Sequence, residues 1–248
     1  MRKMVALALL LVLFALSGCL ARVDSKAPSG GDTMQGKQIK FGGANGFELV
    51  GTLWKNDSST KPALILVHQL GRDRHSFDAF AAFAFKNGFT VLSFDLRGHG
   101  ESRPGNVSYL NFSPSDWQLV AKDIQAARNE LNAEKVLVVG ASIGANAALN
   151  YSVGEASCAG MVALSPGLDY RGLTTAAAAQ STKCPMLIVA SKEDQYAAQS
   201  SQTLFSSASI LYKKLLLIED AGHGTDMYGR RAALQQEVLD WLDAHAGN

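Results

Sequence analysis

The stretch from Lys135 to Leu149 constrains the fold more than any other part of the chain. Lys135-Val136-Leu137-Val138-Val139 is an apolar run rich in β-branched residues, the pattern of a buried strand. Ala145-Asn146-Ala147-Ala148-Leu149 follows with good helix formers. Between them lies Gly140-Ala141-Ser142-Ile143-Gly144. A strand can pass into a helix over so few residues only through a sharp turn. A serine at the apex of that turn is lifted above the sheet, and glycines are needed where a side chain would meet the adjoining strand and helix. This is the pattern of a nucleophile elbow. In a chain with 23 glycines the pentapeptide carries little weight alone, and an ordinary surface serine in a tight turn is the bland alternative. What decides between them is whether a base, an acid and backbone donors occur where a serine nucleophile needs them.

The rest of the chain repeats the strand-then-helix alternation. Ile39 to Phe41 and Phe47 to Trp54 flank a glycine-rich turn and predict an antiparallel hairpin. Ala63 to His68 and Phe89 to Phe94 read as strands, separated by a helical pattern from Phe77 to Lys86 that stops at Gly88. Ser113-Pro114-Ser115-Asp116 offers an N-cap and a first-turn proline for a helix running to about Leu131. Met161 to Leu164, Met186 to Val189 and Lys213 to Ile218 are further strands. Helices are expected over Tyr196 to Ser207 and Arg230 to His245. Short apolar strands alternating with helices imply a mostly parallel sheet covered on both faces. Functional groups then gather beyond the carboxyl ends of the strands.

With 47% apolar and 18% charged residues and a formal net charge of +1, the chain has ordinary globular composition. It offers no basic surface for nucleic acid and no His/Cys/Asp cluster with metal-ligand spacing, so neither a nucleic-acid partner nor a metal or other cofactor is expected. The N-terminus reads differently. Arg2 and Lys3 precede an apolar run from Val5 to Leu16, too short to span a bilayer and suited to an export signal. The run ends in Leu16-Ser17-Gly18-Cys19, which resembles the lipobox of prokaryotic lipoproteins. That resemblance implies a signal peptide over residues 1–18, lipidation of Cys19, a flexible tether over 19–36 and a folded domain over 37–248. The chain would then be exported and held to the membrane on its extracytoplasmic face. Cys158 and Cys184 each precede a strand. They are either a disulfide, which export makes chemically possible, or two separate buried thiols.

A serine hydroxyl is a poor nucleophile until a base takes its proton. His223, in Asp220-Ala221-Gly222-His223-Gly224, follows the last strand and is the expected base. His68, His75, His99 and His245 fit less well, lying at a strand end, a helix start, a turn and the C-terminus. Asp194 in Ser191-Lys192-Glu193-Asp194 is the expected acid, with Glu193 beside it as competitor. The order serine, acid, histidine restricts the choice of hydrolase architecture. Backbone N–H groups of Ile143 and of Leu70, in His68-Gln69-Leu70-Gly71, are the expected oxyanion donors. Asp95 and Arg97, in the turn Asp95-Leu96-Arg97-Gly98-His99-Gly100-Glu101-Ser102, are expected to satisfy loop backbone and each other. Arg72 and Arg74 read as solvated loop charges, or as a preference for an anionic substrate.

Across residues 38 to 246 these stations together resemble the α/β-hydrolase superfamily, and most of all its small esterase and dienelactone-hydrolase-like branches. The resemblance implies an α/β-hydrolase fold with a mostly parallel eight-stranded sheet and helices on both faces. It implies a serine hydrolase acting on esters or related acyl substrates through Ser142, His223 and Asp194. Dienelactone hydrolases proper carry cysteine where Ser142 stands, and Gln69 departs from the common His-Gly oxyanion motif. Only about twenty residues separate Ser165 from Pro185, so little or no lid domain is expected. An inactive surface binding protein on the same fold, and an acyltransferase or peptidase with the same triad, are the alternatives. The natural substrate and the oligomeric state are not specified by the sequence.

Overall fold

The computed structural model describes residues 36–247. The expected signal peptide, the expected lipidation site Cys19 and the expected tether up to residue 35 lie outside the described residues. The chain opens with strands β1 (Lys37–Gly42) and β2 (Glu48–Trp54), followed by β3 (Ala63–Val67), helix α1 (Asp78–Lys86) and β4 (Val91–Phe94). Helix α2 (Pro114–Glu130), β5 (Val136–Ala141), α3 (Ile143–Tyr151) and β6 (Cys158–Leu164) come next. A small hairpin, β7 (Asp169–Tyr170) and β8 (Leu173–Thr174), leads to α4 (Ala176–Ser181). The chain finishes with β9 (Met186–Ser191), α5 (Gln195–Ser207), β10 (Lys213–Ile218), α6 (Asp226–Arg230) and α7 (Ala233–His245).

Eight strands form one sheet in the order β1-β2-β4-β3-β5-β6-β9-β10. β1 pairs antiparallel with β2, and β2 antiparallel with β4. From β4 to β10 every pairing is parallel. Alternate residues of the central strands enter two separate cores, which is why those strands are apolar without interruption. Ile65, Val67 and Val138 pack under α2, α3 and α5 with Trp117, Ile124, Ala147 and Leu204. Leu64, Leu66, Leu137 and Val139 face the other way, onto Phe80 and Ala84 of α1 and Leu234 and Val238 of α7.

Local signals place the element ends. The Ser113 side chain accepts from the Asp116 amide and the Asp116 carboxylate from the Ser113 amide, a capping box that starts α2 with Pro114 in its first turn. Cys158 opens β6 and Cys184 stands just before its parallel neighbour β9, and the two are joined in a disulfide with Cα atoms 5.6 Å apart. The helix expected over Arg230 to His245 begins three residues later, at Ala233, and the short α6, ending at Arg230, precedes it. Arg231 is extended between them (φ −130°, ψ 91°). The break lets α6 bury Tyr228 against Phe80, ring centroids 5.0 Å apart, while α7 turns its own apolar face to the sheet.

Candidate active site

Ser142 sits between β5 and α3 with φ 53° and ψ −117°, a left-handed backbone that non-glycine residues rarely adopt. The turn is held by the Ser142 amide donating to Leu164 O at 2.8 Å and by Ser142 O accepting from Ala145 N at 2.9 Å. The flanking glycines have no substitute. A Cβ at Gly140 would stand 2.2 Å from Gly144 O, and one at Gly144 would stand 2.2 Å from Val67 O. The elbow thus packs backbone against backbone, with α3 directly over β3.

The expected acid and base come from the far half of the sheet. Asp194 follows β9 and His223 follows β10, and His223 Nδ1 donates to Asp194 Oδ2 at 2.5 Å. Glu193 is engaged elsewhere: its Oε2 accepts from Ser191 Oγ and from the Asp220 amide, both at 2.7 Å. Those bonds tie the two loops together and lower the Glu193 pKa, the Ser191 hydrogen bond being the largest cause. Asp194, not its neighbour, is the carboxylate on the imidazole.

Ser142, His223, Leu70 and Ile143 line one cavity of about 290 Å³. Ser142 and His223 face it without a direct hydrogen bond between them; such contacts are often loose before substrate binds. The backbone N–H groups of Leu70 and Ile143 find no protein acceptor among the described residues, so both remain to serve a bound oxygen. Among the described residues no cluster of three His, Cys, Asp or Glu side chains forms a metal site.

Two contributions to this cavity were not legible in the sequence. The Gln69 side chain is buried, and its Oε1 accepts from the Thr225 amide at 2.8 Å and the Thr225 hydroxyl at 2.9 Å. The residue that departs from the His-Gly pattern thus braces the loop carrying His223. The second is the β7–β8 hairpin, which adds Asp169, Tyr170 and Arg171 to the cavity wall. No lid domain is present between β6 and β9, but this short excursion walls the site on that side. Burial, then the charge of Asp194, push the Tyr170 phenol's pKa well above its ordinary value.

The turn after β4 meets the expectation in part: Asp95 accepts from the Glu101 amide at 2.8 Å and the Arg74 amide at 2.7 Å. Asp95 and Arg97 do not pair with each other. Asp95 takes the guanidinium of Arg74, and Arg97 takes Asp123 of α2 through two bonds of 2.6 Å. Arg74 is accordingly buried, not solvated, and also reaches Thr52 and Glu101. Each charge thus finds its partner across the fold and not within the turn. Breaking such a buried pair costs about 3–5 kcal/mol, which marks both pairs as architecture. Arg72 is exposed and pairs with Asp226 at 3.2 Å.

Residues 62–179 match the family model of the α/β hydrolase fold. The chain is an α/β-hydrolase-fold protein. The match takes in Ser142 and stops short of Asp194 and His223. Among solved structures, an esterase of Pyrococcus furiosus superposes with a TM-score of 0.71 at 17% identity, covering 85% of this chain and 93% of that one. A dienelactone hydrolase of Anabaena variabilis gives 0.71 at 18% identity, over 85% of this chain and 98% of that one. A "putative esterase/lipase" of Haemophilus influenzae is 33% identical over 88 residues, which is 36% of this chain and 28% of that relative. The match therefore spans less than a third of the relative's length.

Proposed function

We propose that the protein hydrolyses carboxylic esters through an acyl-enzyme on Ser142. The observation that carries this reading is the Asp194–His223 hydrogen bond opening on the cavity that holds the strained serine and two uncommitted backbone N–H groups. The esterase names of several neighbours of this fold favour esters among acyl substrates.

His223 Nε2 takes the Ser142 hydroxyl proton as Oγ bonds to the ester carbonyl carbon. The carbonyl electron pair moves onto oxygen, where the Leu70 and Ile143 amides receive it. Collapse breaks the bond to the alcohol, and the imidazolium returns its proton to that leaving oxygen. Water then repeats the sequence with His223 as base, and the acid departs from Oγ. Asp194 keeps the proton on Nδ1, so Nε2 is the basic nitrogen throughout. Removing the nucleophile from such a unit costs on the order of 10⁴-fold or more. Ser142→Ala is expected to abolish turnover of p-nitrophenyl butyrate and to block labelling by a fluorophosphonate. A fluorophosphonate adduct mapped to any other residue, or turnover retained in Ser142→Ala, overturns the assignment.

A further inference from the structure

We propose that the protein forms a twofold dimer in which the edge strand β10 pairs antiparallel with β10 of a second copy, with Leu217 on the axis.

The two edges of the sheet are built differently. β1 ends it on one side and β10 on the other. β1 exposes Lys37, Gln38 and Lys40, the kind of charged edge that keeps a strand from pairing with another chain. β10 instead carries Leu215, Leu216 and Leu217, all half-buried, and Leu211 and Tyr212 just before it are 93% and 68% exposed. Lys213 does not guard this edge, because its ammonium turns back to donate to Phe205 O at 2.7 Å and Ala208 O at 2.6 Å. Among the described residues no strand pairs with the outer side of β10. An open apolar edge is a template for another strand, and an identical copy meets it antiparallel about a twofold axis.

Backbone direction restricts the register. Tyr212 O accepts from Met186 N at 2.9 Å and Ile218 O from Lys192 N at 2.8 Å, so the even-numbered residues turn their backbone groups to β9. Leu215, Leu217 and Glu219 turn theirs outward. Outward residues must meet outward residues, so the axis falls at Leu216 or at Leu217. At Leu216, Lys214 would face Ile218, and Lys213 would face Glu219, whose carboxylate already holds Lys192 at 2.7 Å. At Leu217, Leu216 faces Ile218 and Lys214 faces Asp220, twice by symmetry. Among the described residues neither Lys214 nor Asp220 has a side-chain partner in its own chain. Apolar residues thus meet in the middle and opposite charges meet at both ends. Asp220 stands three residues before His223 and its amide donates to Glu193, so the interface borders the loop of the proposed base.

The test uses the full chain in mild detergent, by sedimentation velocity and by disulfide trapping under mild oxidation with wild type as the blank. Wild type is expected to sediment at twice the mass of one chain. Leu217→Lys sets like charges on the axis and is expected to be a monomer with an unchanged far-UV circular dichroism spectrum. Lys214→Glu is expected to raise the dimer Kd about tenfold, since like charges then oppose each other at both ends. Leu217→Cys is expected to trap a covalent dimer, because facing Cα atoms of a hydrogen-bonded pair lie about 5.5 Å apart, within disulfide reach. Lys214→Cys is expected to trap none, its counterpart lying about 20 Å away along the paired strands. A wild type that stays monomeric at every concentration, or a dimer that persists in Leu217→Lys, overturns the interface. A Kd unmoved in Lys214→Glu, equal trapping at the two cysteines, or none at Leu217→Cys overturns the register, and the cysteine pair decides even where Leu217→Lys fails to fold.

Discussion

The chain contains the tripeptide Gly-His-Gly twice after a parallel strand, at Gly98-His99-Gly100 beyond β4 and at Gly222-His223-Gly224 beyond β10. All four glycines have positive φ, from 45° to 81°. In each, the second glycine is pressed against a polar brace, Asp95 in the first and Gln69 in the second. What lies over the imidazole differs. His99 is buried, stacked on Tyr109 at 3.8 Å between centroids, and its Nε2 has no partner. His223 is 38% exposed, holds Asp194 through Nδ1 and opens on the Ser142 cavity. The tripeptide alone therefore does not set a histidine's surroundings; a carboxylate on one nitrogen and access to the cavity are what separate the proposed base from the buried ring.

The sharpest way to break that comparison is to remove each imidazole in turn. His223→Ala is expected to lower kcat on the order of 10⁴-fold or more with the fold intact. His99→Ala is expected to keep kcat within about tenfold while lowering stability, because a buried ring and its stack are lost. Hydrolysis of p-nitrophenyl butyrate and urea unfolding of both variants measure the two effects. Comparable losses of kcat would mean that the buried loop also serves the reaction.

The second prediction uses acid. His99 packs edge-on to His68, whose Nδ1 donates to Gln69 O at 2.8 Å and whose Nε2 accepts from the Leu96 amide at 2.9 Å. That pattern requires a neutral ring. Burial lowers the pKa of each to about 4, with the His68 charge adding to the effect on His99. The unfolded chain protonates these histidines near 6.5. Between pH 6.5 and 4 it therefore binds more protons than the folded protein, and stability falls as pH falls. Two such groups give a loss of about 3 kcal/mol from pH 6.5 to pH 5. Urea midpoints across that range measure it, and His99→Ala is expected to flatten the slope by about half. A flat wild-type profile would mean that the first loop is open to water, and the contrast with His223 would disappear.

The sequence made some of this contrast readable. His223 stood out because it followed the last strand in the order set by Ser142 and Asp194, and His99 fell aside because it lay in a turn. The sheet was readable for a similar reason: strands apolar at every position signal burial on both faces, and the two cores show that burial directly. Partnerships over distance were not readable. Arg74 with Asp95 and Arg97 with Asp123 are 21 and 26 residues apart, and proximity in the chain suggested Asp95 with Arg97 instead. The β7–β8 hairpin escaped notice because strands of two residues carry no periodicity, although Tyr170 and Arg171 on it reach the cavity.

The smallest effect concerns the brace behind the active loop. Gln69 holds Thr225 through two hydrogen bonds on one oxygen, two residues beyond His223. Gln69→Leu keeps the bulk of the side chain and removes the acceptor, leaving the buried Thr225 amide and hydroxyl to find water. Each lost bond is worth about 1 kcal/mol, and the loop can relax, so a stability loss of about 1–2 kcal/mol is expected. Because His223 is positioned by this loop, kcat is expected to fall about threefold to tenfold, far less than in His223→Ala. The corresponding brace of the first loop, Asp95, also carries the Arg74 charge, so its removal costs more stability without a matching loss of kcat. Unfolding and turnover measured on Gln69→Leu check this. A variant with wild-type kcat would mean that the Asp194 bond alone fixes the imidazole, and that the brace which distinguishes the second loop serves stability only.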